Sequence, residues 1–292
     1  MDFNLPKEHL LAQKMFKEFA EKEIKPIAAE IDEEERFPKE TVEKLKKYGF
    51  MGIPMPKEYG GEGADTLAYV LSVEEIAKVC LTTTTIYTAH TSLCCHPIYK
   101  YGTKEQKEKY LVPLCKGEKL GAFGLTEPSA GTDAAMQKTT AVKKGKNYIL
   151  NGSKIFITNS GYADTYIIIA MTDKSKGTRG CSAFIVESDF PGFTVGKKEK
   201  KMGIRGSSAC ELIFDNCVVP EENLIGKEGK GFKIAMQTLD VGRIGIAAQA
   251  LGLAEGALEE TIEYVNERKQ FGRSIFKFQN TQFELADMRM KI

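Results

Sequence analysis

The sequence predicts an α+β multidomain protein: an N-terminal helical domain, a central antiparallel β-barrel or sandwich, and a C-terminal helical bundle that is incomplete here. Three observations carry this. Apolar residues recur at helical spacing up to about Gly117, short runs rich in Val, Ile, Phe and Tyr fill the stretch from Leu120 to Leu224, and helical spacing returns after Pro220. At 292 residues the chain has room for more than one core, by the usual prior of about 100–200 residues per domain. The expected domains are 1–118, 119–225 and 226–292.

In the first domain Phe16, Ala20, Ile24, Ile27 and Ile31 share a helical stripe. Pro26 lacks an amide hydrogen and crowds the preceding turn, so it should kink or divide that helix. Further helices are expected from Lys39 to Tyr48, Leu67 to Val79 and Thr103 to Cys115. Thr103, with Gln106 three residues on, forms a capping box for the last of them.

The central strands are expected at Thr139–Val142, Tyr148–Leu150, Lys154–Thr158, Thr165–Met171, Ser182–Glu187, Phe193–Gly196 and Glu211–Asp215. No helix intervenes, which argues for antiparallel neighbours in a sandwich or barrel. Beyond Pro220, the spaced glycines of GKEGKGF, Gly226 to Phe232, lack a preceding strand and a G-K-[ST] ending. They read as a turn leading into a helix and not as a phosphate loop.

Phe232, Leu239, Ile246, Leu253 and Ala257 then mark one face of a helix reaching about Glu267. Gly242, Gly245, Ala247, Ala248, Ala250, Gly252, Ala254 and Gly256 make this helix slim and suited to close packing. A second helix is expected from about Asn280. Its stripe of Phe283, Ala286 and Met290 is still running at Ile292, with no stop signal.

The 41 basic and 40 acidic residues nearly cancel, so no strong field favours nucleic acid or an anionic membrane. The run Lys197–Lys201 reads as a solvated edge, although a basic edge could also meet the phosphates of a nucleotide-bearing ligand. Met1 to Leu11 is polar and charged, and the apolar run Tyr166–Met171 is too short to span a bilayer. No membrane insertion and a cytoplasmic location are expected. Seven cysteines form no C-x-x-C and should be reduced and mostly buried. The three histidines, His9, His90 and His96, show no metal-ligand spacing. His96 reads as a satisfied structural histidine.

Two segments carry chemistry. In GAFGLTEPSAGTD, Gly121 to Asp133, the glycines let backbone approach a flat ligand, and Thr126, Ser129 and Thr132 offer hydroxyls that donate and accept. Pro128 favours extended geometry before it, so a strand should run into a sharp loop that Asp133 could brace. In KIFITN, Lys154 to Asn159, a ring, an aliphatic group and a hydroxyl follow one another at Phe156, Ile157 and Thr158.

Together these segments resemble the flavin cradle of the acyl-CoA dehydrogenases. The resemblance extends over the whole chain: PKEYGGEG around Tyr59, Gly60 and Gly61, LDVGR from Leu239 to Arg243, and ERKQFGRSIFKFQ from Glu267 to Gln279 all match the family. Met136 departs from it, standing where a small residue is usual. The variant LDVGRIGIAAQALG is most similar to short-chain, butyryl-type members.

The resemblance implies FAD-dependent α,β-dehydrogenation of a short-chain acyl-CoA, or the reverse reduction of an enoyl-CoA, with electrons exchanged with electron-transfer flavoprotein. It places Phe123, Gly124, Leu125, Thr126, Gly131, Thr132, Phe156, Ile157 and Thr158 at the flavin. Thr132, Asp240 and Arg243 would contact acyl-CoA. Without the family, Asp240 and Arg243 read as an intrahelical ion pair. Arg268 and Gln279 would bind FAD across an interface of a homo-oligomer, a tetramer in the family, in a bacterial enzyme. No catalytic base is identified: the usual glutamate is expected beyond Ile292, the alternative position before the helix arginine holds Gly242, and Glu127 is assigned a structural role. The alternatives are a non-catalytic flavin- or CoA-binding fragment and an acyl-CoA oxidase-type flavoenzyme.

Overall fold

The computed structural model describes residues 4–292. The first three residues of the Met1–Leu11 stretch lie outside the described residues. The chain runs as a helical domain, a β domain and a long helix followed by a short one.

The helical domain comprises α1 (Lys7–Phe19), α2 (Lys25–Glu33), α3 (Lys39–Lys47), α4 (Thr66–Val79), α5 (Leu81–Thr88), α6 (His96–Tyr101), α7 (Lys104–Gln106) and α8 (Val112–Cys115). Pro26 does divide the first helix, through a π-helical turn at Ala20–Ile24. The same device recurs at Ala89–Cys95 before Pro97 and at Lys107–Leu111 before Pro113. A proline ring clashes with the carbonyl one turn back, and a widened turn just before it relieves that clash without ending the rod. The Thr103–Gln106 capping box is present.

Helix α5 has no predicted counterpart, because the run LTTTTIYT is poor in helix formers. Burial overrides propensity there. Thr82, Thr83, Thr84 and Thr88 are all buried, and the Thr84 and Thr88 hydroxyls donate to the carbonyls of Cys80 and Thr85 at 2.8 and 3.2 Å. Intrahelical bonds of this kind satisfy threonine hydroxyls in a dry interior.

The β domain contains β1 (Gly121–Gly124), β2 (Thr140–Lys144), β3 (Asn147–Thr158), β4 (Thr165–Met171), β5 (Cys181–Glu187), β6 (Phe193–Lys198), β7 (Ala209–Pro220) and β8 (Leu224–Ile225). The order is β6-β7-β3-β2-β4-β5-β8, with β1 also on β4. The expected barrel or sandwich is thus corrected to an open mixed sheet. Most pairs are antiparallel, but β4 runs parallel to both β1 and β2. The reason is the path of the chain: β1 enters from the helical domain directly into the middle of the sheet, while β6 and β8 remain at opposite ends.

Every residue of β4 is buried. Ile167, Ile169 and Met171 face a core shared with the helices, and Tyr166, Ile168 and Ala170 face a core of β-domain side chains. A strand covered on both faces reads as a continuous apolar run, as this one does.

The long helix α9 (Gly231–Glu267) is followed by the pair β9 (Lys269–Gln270) and β10 (Arg273–Ser274) and by α10 (Gln279–Lys291). Its buried side is the small-residue stripe and not the large-residue face expected from sequence: Gly242, Gly245, Ala248, Gly252 and Gly256 are buried, whereas Ile246 and Leu253 are exposed. At Gly245, Gly252 and Gly256 the stripe lies against α4, whereas Gly242 faces Leu93 of the π-helical turn Ala89–Cys95. A Cβ at position 252 would stand 2.3 Å from the Glu74 carbonyl oxygen, and one at 256 would stand 2.1 Å from that of Lys78. Beside this contact Lys78 pairs with Glu75 at 3.0 Å and Glu255 at 2.9 Å, tying the two helices together.

Helix propensity alone predicts that Gly252→Ala gains about 1 kcal/mol. The close approach predicts instead a net loss of about 1–3 kcal/mol, read as a lower urea midpoint at unchanged m-value.

Candidate active site

At the junction of the three parts lies a cleft of about 460 Å³. Phe123 and Leu125 come from β1 and its exit, Thr126, Gly131, Thr132 and Asp133 from the following loop, and Phe156, Ile157 and Thr158 from the end of β3. Leu93 of the second π-turn and Phe232, Met236, Leu239 and Arg243 of α9 complete the walls. A second chamber of about 550 Å³ shares Ala89, Leu93, Thr158, Leu239 and Arg243 with it and continues between α5 and α9 towards Thr85 and Ala250. Gln249, buried beside this chamber, joins the helices by hydrogen bonds to Thr85 and Thr88.

The loop from Leu125 to Thr139 is held by a buried ion pair. Lys154 Nζ on β3 lies 2.7 Å from the Glu127 carboxylate, with both side chains almost wholly buried. Lys154 also donates to the Leu125 carbonyl at 3.0 Å and to Gln137 Oε1 at 3.2 Å. Glu127 further accepts the backbone N–H groups of Lys138 and Thr139. Burial pushes the carboxyl upward, but the Lys154 ammonium and these N–H donors outweigh it and hold Glu127 below the usual carboxylate range. The expectation that Glu127 is structural therefore acquires a partner, Lys154. Its own cue is a lysine at the start of the apolar run Ile155, Phe156, Ile157.

The end of β3 contributes Phe156, Ile157 and Thr158 to the cleft wall, although the Ile157 side chain itself packs into the β-domain core. In a regular strand adjacent residues face opposite ways. Here the β3–β7 register shifts between Lys154 and Ile157, and Phe156 sits at φ 59°. Such a bulge re-aims side chains. The Phe156 ring is left 61% exposed at the cleft wall.

The glycines divide by role. Gly131 lines the cleft with nothing within 4 Å of a Cβ position, so the space beside it is free for a ligand. Gly124 is not a lining residue: a Cβ there would meet Ile168 Cδ1 at 2.7 Å. Gly121 is likewise demanded by protein packing, because its Cβ would meet that of Cys94 at 2.5 Å.

The Gly121 N–H donates to His90 Nδ1 at 3.0 Å. Burial lowers the His90 pKa to about 4 and keeps the ring neutral. This histidine anchors β1 to the π-turn, a link the sequence did not reveal. His96 departs from its expected satisfied state, since its buried Nε2 has no hydrogen-bond partner. All seven cysteines are buried free thiols.

Of the expected substrate residues, Thr132 and Arg243 line the cleft, while Asp240 is exposed beside Arg243 at 3.8 Å. Arg268 and Gln279 are exposed and are not among the cleft-lining residues. Met136, the departure from the family pattern, is exposed on the loop. Among the described residues, no helix is long and apolar enough to cross a membrane.

A helical domain, a β domain and a helical rod thus meet at a partly apolar, hydroxyl-rimmed cleft. Residues 6–118, 122–217 and 229–292 match the N-terminal, middle and C-terminal domains of acyl-CoA dehydrogenase, and the chain belongs to the acyl-CoA dehydrogenase family. It is 63% identical over 292 residues to the short-chain specific acyl-CoA dehydrogenase of Clostridium acetobutylicum, covering 100% of this chain and 77% of that one. The structure of butyryl-CoA dehydrogenase from Megasphaera elsdenii superposes with a TM-score of 0.96 at 53% identity, covering 100% of this chain and 77% of that one. A chain from a study of the electron transferring flavoprotein of Acidaminococcus fermentans superposes at 0.98 with 58% identity and the same coverages.

Lys154→Met leaves an uncompensated buried carboxylate and is expected to cost about 3–5 kcal/mol. Adding Glu127→Gln removes that charge yet keeps an acceptor for the backbone N–H groups, so the double variant should recover part of the loss in chemical denaturation. Because the Glu127 pKa is depressed on folding, its stabilisation is present above its ordinary value of 4.5 and disappears as pH falls through the lower folded value. Wild type should therefore lose stability more steeply than the double variant when urea midpoints are followed below pH 4.5.

Proposed function

We propose that this chain carries the FAD and acyl-CoA sites of a short-chain acyl-CoA dehydrogenase, which forms trans-2-enoyl-CoA or reduces it and exchanges electrons with electron-transfer flavoprotein. The observation that carries this reading is the convergence of two distant segments, 121–133 and 154–159, on one cleft walled by α9. Similarity to short-chain and butyryl-CoA dehydrogenases supports the substrate class, and the Acidaminococcus fermentans study supports the electron partner.

The cleft fits a flavin. It offers an open wall at Gly131, hydroxyls at Thr126, Thr132 and Thr158, and the exposed Phe156 ring as a flat lid. Leu125, Thr126, Thr132, Phe156 and Thr158 would hold FAD, which supplies a two-electron acceptor for the β-hydrogen. Arg268 and Gln279, both exposed, would serve the cofactor of a neighbouring copy in a homo-oligomer.

The chain's own residues orient the acyl thioester. Leu93, Leu239 and Ile246 surround the chain with apolar surface and exclude water, while Arg243 stands where the two chambers meet. Losing the α-proton needs a carboxylate base and donors to the thioester carbonyl. Glu127 is committed to Lys154, and Asp133 sits on an exposed loop. The reading therefore places the base beyond Ile292, as the family pattern does.

Reconstituted with FAD, residues 1–292 should show a bound-flavin spectrum that does not bleach when butyryl-CoA is added anaerobically. Gly242→Glu, which puts a carboxylate in the second chamber, should restore bleaching. Bleaching of the unmodified chain would overturn the placement of the base, and its loss in Asp133→Asn would identify Asp133 instead. Absence of any bound flavin would overturn the cofactor assignment.

A further inference from the structure

The two segments that meet at the cleft are fastened to each other at two places. At one end Lys154 donates to the Leu125 carbonyl at 3.0 Å, and the Ile155 N–H donates to the Thr126 carbonyl at 2.9 Å. At the other end the Asn159 side chain makes the joint. Its Nδ2 donates to the Gly121 carbonyl at 3.0 Å and to the Ile86 carbonyl of α5 at 3.0 Å. Gly121 is itself fixed, since its N–H is held by His90. One amide group thus joins the end of β3, the start of β1 and the helical domain.

The stretch between the fasteners, 156–158, is the bulge at the cleft wall. Its backbone is not relaxed. Phe156 has φ 59°, a conformation costly for a bulky side chain, and Asn159 closes the bulge at φ 68°. Asparagine is one of the few residues that visit this left-handed region readily. A strained segment keeps its conformation only where its surroundings over-determine it. Lys154 and Ile155 hold one end of this one, and Asn159 holds the other.

The turn beyond the bulge is bound to the sheet by other groups. Ser160 Oγ donates to the Ile157 carbonyl at 2.5 Å and accepts the Cys210 N–H at 2.8 Å, and the backbone N–H of Asn159 donates to the Ser208 carbonyl at 3.0 Å. The Asn159 amide adds nothing to these bonds, because both of its own run to β1 and α5. It is fully buried, and its Oδ1 has no hydrogen-bond partner among the described residues. A buried acceptor left unpaired costs stability, so stability alone is a poor reason for an amide at this place.

We propose that Asn159 is a positioning residue for the flavin: by tying the end of the bulge to β1 and α5, it keeps the Thr158 hydroxyl and the Phe156 ring where they meet the cofactor. The proposal rests on the FAD reading above. Thr158 is the neighbour through which Asn159 acts, since it precedes Asn159 directly and lines both chambers.

The test is titration of the 292-residue chain with FAD, followed by flavin fluorescence and by the visible circular dichroism of the bound flavin, with urea denaturation of the FAD-free chain measured alongside. Asn159→Gly keeps the left-handed backbone and removes the amide, and Asn159→Asp keeps the shape and loses the two N–H donors. Each is expected to weaken FAD binding about tenfold and to alter the flavin dichroism. Added to Thr158→Val, Asn159→Gly should change both readouts much less than it does alone. Wild-type FAD affinity and dichroism in the folded variants overturn the proposal even where the urea midpoint falls, because that pattern marks a purely structural residue. An undiminished effect of Asn159→Gly in the Thr158→Val background overturns the action through Thr158. Failure of both single variants to fold overturns the proposal too, because Asn159 would then serve the fold and not the flavin. If wild type binds no FAD, the cofactor reading itself fails and takes this proposal with it.

Discussion

The cradle depends on one buried ion pair. Lys154 and Glu127 are separated by 27 positions in the chain, yet their 2.7 Å contact joins the loop after β1 to the strand that supplies Phe156 and Thr158. Two buried charges are tolerable only when almost every donor and acceptor is used. Here Lys154 reaches a carboxylate, a carbonyl and an amide oxygen, and Glu127 takes two backbone N–H groups in addition. The geometry is consequently over-determined, and the hydroxyls of Thr126 and Thr132 stand on a loop that the pair keeps from collapsing into the cleft.

The opposite wall is set by the joint between helices and sheet. β1 is only four residues long, but it pairs with β4, packs against the second π-turn and gives its first N–H to neutral His90. The π-turn lets a helical rod bend around Pro97 without breaking, and this brings Ala89 and Leu93 to the cleft. Gly121 permits the contact because the Cys94 side chain occupies the place of its Cβ. Several glycines that look made for a ligand are thus made for protein neighbours.

The third wall, α9, combines two faces of different use. Its glycine stripe brings the backbone against α4, and its larger side chains line the cleft along a separate side. Close backbone approach fixes the helix axis firmly, which is what a wall positioning Arg243 over many residues requires. The charged contacts of Lys78 with Glu75 and Glu255 support the same interface, so α9, which forms one wall of the second chamber, is held firmly against α4.

Much of this was legible in the sequence. The three regimes of periodicity, the capping box at Thr103, the slim long helix and the two cleft segments all rest on local patterns, and local patterns survive without tertiary context. Helix α5 was not legible, because its threonines become helical only when burial leaves them no better partner than their own carbonyls. The open mixed sheet was hidden too, since the placing of β1 beside β4 is a matter of chain path and not of strand composition. The sequence by itself determined the family, the order of elements and most of the residues that face the cleft. Only the tertiary structure decided which glycines serve packing, that the bulge at the end of β3 leaves the Phe156 ring at the cleft while Ile157 packs into the β-domain core, and that Lys154 is Glu127's partner, because each depends on neighbours distant in the chain.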